Sequence, residues 1–336
     1  MNLVDVIIPL YNKETTILRA IRSVRQQEYP HWRLIVVDDG STDKGPDLVA
    51  ELKDPKIQLI RQSNQGPGAA RNTGLQAATA PYTAFLDADD QWYPSYLQNG
   101  ITALKNQPAA FAGTMYEEWP RQIAMTGYWQ RRGIRPGLHR LTGREPVPLA
   151  EAMLFFFHVG TTIIQTEIAR RYGGFYTADK CTFGEDTVFF ARLVFNEPFL
   201  ILPEVAVRHN REDSSLSNDP AKAIAPILWQ PELLLDFCPE EKRELAKGVL
   251  SYLALRTAHH QARNGFSHTA AELLRRFPDA RRFRGLYFRC RAEIVLSPML
   301  KYWVALKRYG GLKIRPPVQR FFRRVLGRPL RDPDQG

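Results

Sequence analysis

The chain has 336 residues, room for one large domain or two of ordinary size, and 44% of them are hydrophobic, ample for a packed core. Its formal charge of +11 is local: Arg281 to Arg328 holds 14 Lys and Arg against one acid, Glu293, so the first 280 residues are near neutral. No run approaches the ~18–20 apolar residues of a membrane span, Asp5 and Pro9 interrupt the first apolar run against a signal peptide, and Cys181, Cys238 and Cys290 form neither a zinc pattern nor a disulfide framework, which fits a reducing cytoplasm.

The first hundred residues alternate in type. Val4 to Ile8 reads as a strand, then Ile17, Ile21 and Val24 recur at helical spacing. Leu34 to Val37 is an almost wholly β-branched strand, as expected when both faces are buried. Pro46 to Lys53 reads as a helix that starts with proline, Ile57 to Arg61 as a strand, and Gly68 to Ala78 as an alanine-rich helix. Tyr82 to Leu86 is the next strand and about Pro94 to Asn106 the next helix. This β-α-β-α order implies a parallel sheet with right-handed crossovers.

The pattern then loosens. Residues 117–148, rich in Arg, Gly, Pro and Trp, read as a long excursion over the surface. Thr161 to Gln165 is a strand, Glu167 to Tyr172 a short helix with Gly173-Gly174 as its C-terminal cap, Glu185 to Phe195 a helix and Phe199 to Val207 a strand. After about Pro220 strands cease: Ile224 to Phe237, Lys242 to Arg263 and Thr269 to Phe277 read as helices, with a break at Gly265. Three segments follow: an α/β domain over 1–218, a helical extension over 219–280 and a basic tail over 281–336.

Chemistry gathers where strands end. Pro9-Leu10-Tyr11-Asn12-Lys13-Glu14 follows the first strand, Asp38-Asp39-Gly40-Ser41-Thr42-Asp43 the second, Asn64 to Asn72 the third, and Asp87-Ala88-Asp89-Asp90 the fourth. Each segment alone has an ordinary reading as turn chemistry, and the acidic tetrad could be a solvated turn capping the next helix. Four such segments on one edge of a sheet mark the crevice where open α/β sheets bind ligands. Carboxylates one residue apart there suit a hard divalent ion bridging to phosphates. A dinucleotide-binding dehydrogenase is excluded, because Pro9-Leu10-Tyr11-Asn12 stands where the glycine fingerprint would begin.

Taken together, Val6 to Asn12, Val36 to Asp43, Ala70-Arg71-Asn72-Thr73-Gly74, Phe85 to Asp90, Gly184-Glu185-Asp186-Thr187-Val188-Phe189-Phe190 and Arg208 to Ser215 closely resemble the inverting family 2 glycosyltransferases over residues 3–217. The resemblance implies a GT-A (Rossmann-like) α/β fold, a mostly parallel sheet flanked by helices, with a helical C-terminal extension. It implies a nucleotide-diphosphate sugar donor, a UDP-sugar by preference, and a saccharide or lipid-linked saccharide acceptor in envelope polysaccharide or lipopolysaccharide synthesis. Pro9, Tyr11, Asn12 and Glu14 would line the base and ribose pocket, and Asp39 would accept the N–H of the base. Arg71 would reach the nucleotide or its diphosphate. Asp87 with Ala88 would hold the ribose or the water shell of the metal, and Asp89 would ligate Mn²⁺ or Mg²⁺ directly. His209 is a further metal candidate, and Asp90 caps the next helix.

An inverting displacement needs a base for the acceptor hydroxyl. Glu185 and Asp186 open a helix, where the dipole favours ionised carboxylates. The resemblance makes Asp186 the base and Glu185 its support or an orienter of the acceptor; ordinary capping of a first turn is the competing reading. Trp119, Tyr128 and Trp129 could form a sugar-stacking platform, and Cys181 reads as structural. In the tail, Leu296, Met299, Leu300, Trp303 and Val304 share a helical face beside Lys301, Lys307 and Arg308, and Arg320, Arg323 and Arg324 flank Phe321 and Phe322. A basic amphipathic segment of this kind suits the anionic inner leaflet of a membrane, or else packs on the domain with a solvated basic face. No nucleic-acid module is visible. A non-catalytic nucleotide-sugar-binding scaffold of an envelope assembly complex is the alternative function.

Overall fold

The structure, a computed structural model, describes residues 4–212 and 224–295. The chain divides into two compact units, one of residues 1–218 with 225–246, the other of 219–224 with 247–336.

The first unit opens with β1 (Val4–Leu10), α1 (Ile17–Arg25), β2 (Trp32–Asp38), α2 (Gly45–Glu51), β3 (Ile57–Arg61), α3 (Pro67–Ala77) and β4 (Tyr82–Phe85). It continues through β5 (Gln91–Trp92), α4 (Tyr96–Asn106), β6 (Phe111–Trp119), β7 (Ile123–Ala124), α5 (Thr126–Arg131), β8 (Gly137–His139) and α6 (Val147–Phe156). β9 (Thr162–Gln165), α7 (Thr166–Arg171), α8 (Glu185–Asn196), β10 (Phe199–Asn210), α9 (Pro226–Trp229) and α10 (Glu232–Leu235) complete it.

The sheet runs β3-β2-β1-β4-β9-β6-β10-β5, with β7 on β6 and β8 on β10. β1 is parallel to β2 and β4, β2 to β3, and β10 to β6. β9 is antiparallel to both β4 and β6, so it alone reverses between them. Two consequences place the site. β1, β2, β3, β4, β6 and β10 all point their C-terminal ends to one edge, and the segment entering β9 lies on that same edge.

The β-branched strands are buried, as their composition requires: Ile7, Ile8, Leu34, Ile35, Val36 and Val37 have no exposed surface. α3 lies close on β1 because Gly74 presents no side chain; a Cβ there would stand 2.4 Å from Ile7 Cγ2. α7 ends on Gly173 and Gly174, both at positive φ, with their N–H groups donating to Arg170 O and Ala169 O, the expected cap.

Three stretches depart from the sequence reading. The excursion over 117–148 is built rather than loose: it holds β7, α5 and β8, and Trp129 is buried on Phe156. β6 and α6 went unread. α6 is buried on almost every side, so it shows no amphipathic period, and its Glu151 is neutralised by Arg132. The helix expected over Ile224 to Phe237 is broken into α9 and α10 at Gln230-Pro231, since Pro231 has no N–H to continue it. Both pieces pack on α8 and bury Ile227, Leu228 and Leu234, so residues 225–246 join the first unit instead of the helical extension.

α11 (Arg243–Arg263) carries the chain into the second unit, where α12 (Ser267–Arg276) follows. There Leu273 and Cys290 are buried, Tyr252 packs on Phe283 at 4.7 Å, and His259 pairs with the buried Glu293 at 3.2 Å. No helix among the described residues is long and apolar enough to cross a membrane. The tail face from Leu296 onward, and Asp213 to Ser215 of the closing loop, lie outside the described residues.

Candidate active site

A cavity of about 720 Å³ opens at the sheet edge where the strand ends converge. Its first wall is nucleated by Asp39. This buried carboxylate accepts hydrogen bonds from Gln62 Nε2 at 2.8 Å, Gln65 N at 2.9 Å and Gly66 N at 2.8 Å. Gly66 at φ +93° then turns the chain into α3, and Pro67 stands in the first turn, where its missing N–H costs nothing. Pro9 and Tyr11 line the cavity beside Asp39, and Tyr11 is 48% exposed.

α3 carries Arg71 beneath this turn. Its guanidinium is buried and bridges two acids: one nitrogen donates to Asp87 Oδ1 at 2.8 Å, another to Glu185 Oε1 at 2.7 Å. Burial works against its charge, but the two carboxylates outweigh it and raise its pKa. Asp87 shows a similar contest: burial opposes ionisation, yet Arg71, aided by His209, holds its pKa below the usual carboxylate value.

Asp89 lies in a different setting. Lys13 Nζ sits 2.6 Å from its Oδ2. Even so, burial and then the charges of Asp87 and Asp90 push its pKa up to about 6. Burial and the two neighbouring carboxylates thus disfavour the charge on Asp89 in spite of Lys13. A bound cation would favour that charge, and hard carboxylate oxygens of this kind suit Mn²⁺ or Mg²⁺. Among the described residues no cluster of three or more His, Cys, Asp or Glu has metal-holding geometry. Asp89, Asp87 and His209 nonetheless line one cavity, and an ion of this type is commonly held by one or two carboxylates together with substrate phosphates and water.

Asp90 is not a helix cap. It is 2% exposed, its Oδ2 meets His209 Nδ1 at 2.8 Å, and its Oδ1 accepts Asn210 N at 2.8 Å. Burial would lower the His209 pKa, but Asp90 raises it above the usual value. His158, from the segment entering β9, stands with its ring 6.2 Å from that of His209. Burial, then His209, push His158 down to about 3, so it is neutral, and its Nε2 is buried with no hydrogen-bond partner.

Across the cavity, Gly184 at φ +75° starts α8, which opens with Glu185 and Asp186. Glu185 is buried against Arg71. Asp186 is pushed up to about 7 by burial and then by Glu185, with Arg71 opposing. The helix N-terminus, expected to favour the ionised form, is outweighed.

Residues 5–159 match the model of the family described as Glycosyl transferase family 2. The match takes in just under half of the chain and includes the ends of β1, β2 and β4. Over 117 residues the chain is 38% identical to the putative teichuronic acid biosynthesis glycosyltransferase TuaG of Bacillus subtilis, covering 34% of this chain and 46% of that one. Over 116 residues it is 39% identical to the Escherichia coli UDP-Glc:alpha-D-GlcNAc-diphosphoundecaprenol beta-1,3-glucosyltransferase WfgD, again 34% and 46%. The matched stretch spans less than half the length of such curated relatives. Among solved structures, residues 1–349 of S. aureus TarS in complex with UDP-GlcNAc superpose with TM-score 0.65 at 17% identity, covering 93% of each chain. The mannosyltransferase PcManGT of Pyrobaculum calidifontis, in complex with GDP-Man and Mn²⁺, gives TM-score 0.52 at 19% identity, covering 89% of this chain and 87% of that one. These likenesses establish the GT-A fold.

Of the residues expected at the site, Pro9, Tyr11, Asp39, Arg71, Asp87, Ala88, Asp89, Glu185, Asp186 and His209 all line the cavity. Asn12 and Glu14 do not. Asn12 Oδ1 accepts Thr42 N at 2.8 Å and Glu14 Oε2 accepts Lys44 N at 3.0 Å, so both lace the β1 loop to the β2 loop. Trp119, Tyr128 and Trp129 are likewise absent from the lining, and Trp129 is buried against Phe156. Sequence reasoning missed Lys13, Tyr116, His158, Lys180 and Arg211, which line the cavity. Two of them had a signal: Lys13 lies inside the β1-end segment, and Arg211 inside the Arg208 to Ser215 stretch.

Proposed function

We propose that the first unit transfers a sugar from a nucleotide-diphosphate sugar, a UDP-sugar by preference, to a hydroxyl of a saccharide or lipid-linked saccharide with inversion. The observation that carries this reading is the meeting of Asp39, Arg71, Asp87, Asp89 and Asp186, from four separate chain elements or loops, around one cavity. Its biological setting would be envelope polysaccharide synthesis, a reading supported by the teichuronic acid biosynthesis named for TuaG. The UDP preference is supported by WfgD and by the TarS complex.

Asp39, already fixed by three donors, turns its carboxylate toward a base seated beside Pro9 and Tyr11. Arg71 is a positive charge held at the diphosphate end of the same wall. Asp186, with a pKa near the working pH, takes the proton of the acceptor hydroxyl. The acceptor oxygen then bonds to the anomeric carbon from the opposite face, the bond from that carbon to the phosphate oxygen breaks, and the nucleoside diphosphate leaves with the electron pair. A Mn²⁺ or Mg²⁺ ion held by Asp89, Asp87 and His209 would supply positive charge to the departing diphosphate. Contact with an anionic inner leaflet through the basic tail, and hence a peripheral cytoplasmic location, belong to the same reading; liposome sedimentation of the full chain against a chain ending at residue 280 tests them.

The experiment is nucleotide release over a panel of UDP-sugars with acceptor and Mn²⁺ or Mg²⁺. Turnover is expected with one donor and lost in Asp89→Ala and Asp186→Ala. Full turnover in either variant would overturn its assigned role, and binding without turnover would favour the scaffold alternative.

A further inference from the structure

We infer that Asp90 is a positioning residue: it holds Nδ1 of the His209 imidazole at its own Oδ2, and so makes Nε2 the ring nitrogen that keeps a lone pair. The inference rests on the proposed metal-assisted transfer for its functional weight, but not for its geometry.

The geometry starts with strand register. β5 and β10 are antiparallel, with Trp92 opposite Val207 and Gln91 opposite Arg208. One step further along the same register sets Asp90 opposite His209. That register is pinned beyond the ladder itself. Asn210 donates its backbone N–H to Asp90 Oδ1 at 2.8 Å and its side-chain amide to Asp89 O at 2.6 Å, and Arg19 donates to that same carbonyl at 2.8 Å. Asp90 thus has one oxygen committed to backbone and one, Oδ2, held 2.8 Å from His209 Nδ1.

A carboxylate accepts hydrogen bonds and donates none, so Nδ1 must carry the proton. The nitrogen across the ring, Nε2, is then the one with a lone pair to offer. His209 lines the cavity together with Asp87 and Asp89. A carboxylate that orients a histidine in this way sets the tautomer and the basicity of the ligating nitrogen, and loss of such a partner typically weakens metal binding about 10–100-fold. A cap of the following helix would need neither His209 nor the burial.

Two measurements test this. The first needs no metal: nitrogen-15 imidazole shifts of the protein at pH 8.5, with His209 assigned through His209→Gln. The parent is expected to show His209 as the Nδ1–H tautomer. Asp90→Asn, which is nearly isosteric and can both donate and accept, should give a mixture. An unchanged tautomer in Asp90→Asn overturns the inference. The second is Mn²⁺ affinity in the presence of UDP, corrected for UDP alone, read by electron paramagnetic resonance. Asp90→Ala should weaken binding about 10–100-fold, and the double variant with His209→Ala should bind no more weakly than His209→Ala itself. Additive losses would show that Asp90 does not act through His209. If His209→Ala leaves Mn²⁺ affinity unchanged while Asp90→Asn scrambles the tautomer, the metal role of His209 fails and the positioning role stands.

Discussion

Lys13 Nζ lies 2.6 Å from Asp89 Oδ2, so the carboxylate best placed for a cation is shared with an ammonium group from the neighbouring strand end. Two cations cannot both sit at contact distance without repulsion. Lys13→Met should therefore tighten Mn²⁺ binding by up to about tenfold, a modest share of a contact-distance Coulomb term at an effective dielectric near 20. The comparison belongs at pH 8, above the value of about 6 to which Asp89 is pushed, because loss of Lys13 also favours its protonated form. Weaker Mn²⁺ binding by Lys13→Met would show that the lysine supports the ion.

Arg71 is the keystone of the opposite wall. It is 6% exposed, and Glu185, its partner at 2.7 Å, is 8% exposed. Removing one member of a buried pair strands the other, at a cost of about 3–5 kcal/mol. Arg71→Met should lose about that much in urea denaturation. Adding Glu185→Gln should recover part of the loss, because the stranded charge is then gone. A double variant as unstable as the sum of the two singles would mean that the pair is not coupled.

Much of this arrangement was legible in the sequence, and the reasons for success and failure are physical. The strands carrying Pro9, Asp39 and Asp87 are β-branched or apolar runs ending in turn residues, so both the sheet and its active edge could be read from local pattern. β6 could not: Phe111-Ala112-Gly113-Thr114 is short on β-branched residues, because a Cβ at Gly113 would come within 2.6 Å of the Phe157 ring. The His209–Asp90 pair and the pairing of Arg71 with Glu185 join residues more than a hundred positions apart. No local signal encodes them; they follow from strand order and register. His158 is silent for a related reason. Nothing in its own neighbourhood marks it, and only the reversal of β9 brings it to the site edge.

The protonation of Asp186 gives a sign that can be checked. Its folded pKa, about 7, lies above the ordinary aspartate value because burial and Glu185 disfavour the charge. Its contribution to stability is therefore complete below about pH 4 and lost as the pH rises through 7. Asp186→Asn, which stays neutral throughout, should unfold at a higher temperature than the parent at pH 8, and the gap should close by pH 4. Turnover should behave oppositely. The parent should show an ascending limb near pH 7, and Asp186→Asn should lose about 10²–10⁴ in rate, the usual worth of a positioned base. A pH-independent difference in melting temperature would refute the assignment of the shift to this carboxylate.

Gly74 tests how tightly the site depends on packing beneath it. On an exposed helix, Gly→Ala would gain about 1 kcal/mol of helix propensity. Here the new Cβ would stand 2.4 Å from Cγ2 and 3.1 Å from Cγ1 of Ile7, which has no exposed surface and no room to retreat. Overpacking of this kind costs about 1–3 kcal/mol, so the net effect of Gly74→Ala should be destabilising in chemical denaturation. Combining it with Ile7→Ala, which removes both γ carbons, should cost less than the sum of the two single variants. Arg71 lies one turn earlier on the same helix, so any outward shift of α3 pulls the guanidinium away from Asp87 and Glu185. Gly74→Ala should thus weaken UDP binding as well as stability, and a variant that loses stability while keeping UDP affinity would show that α3 repacks without moving Arg71.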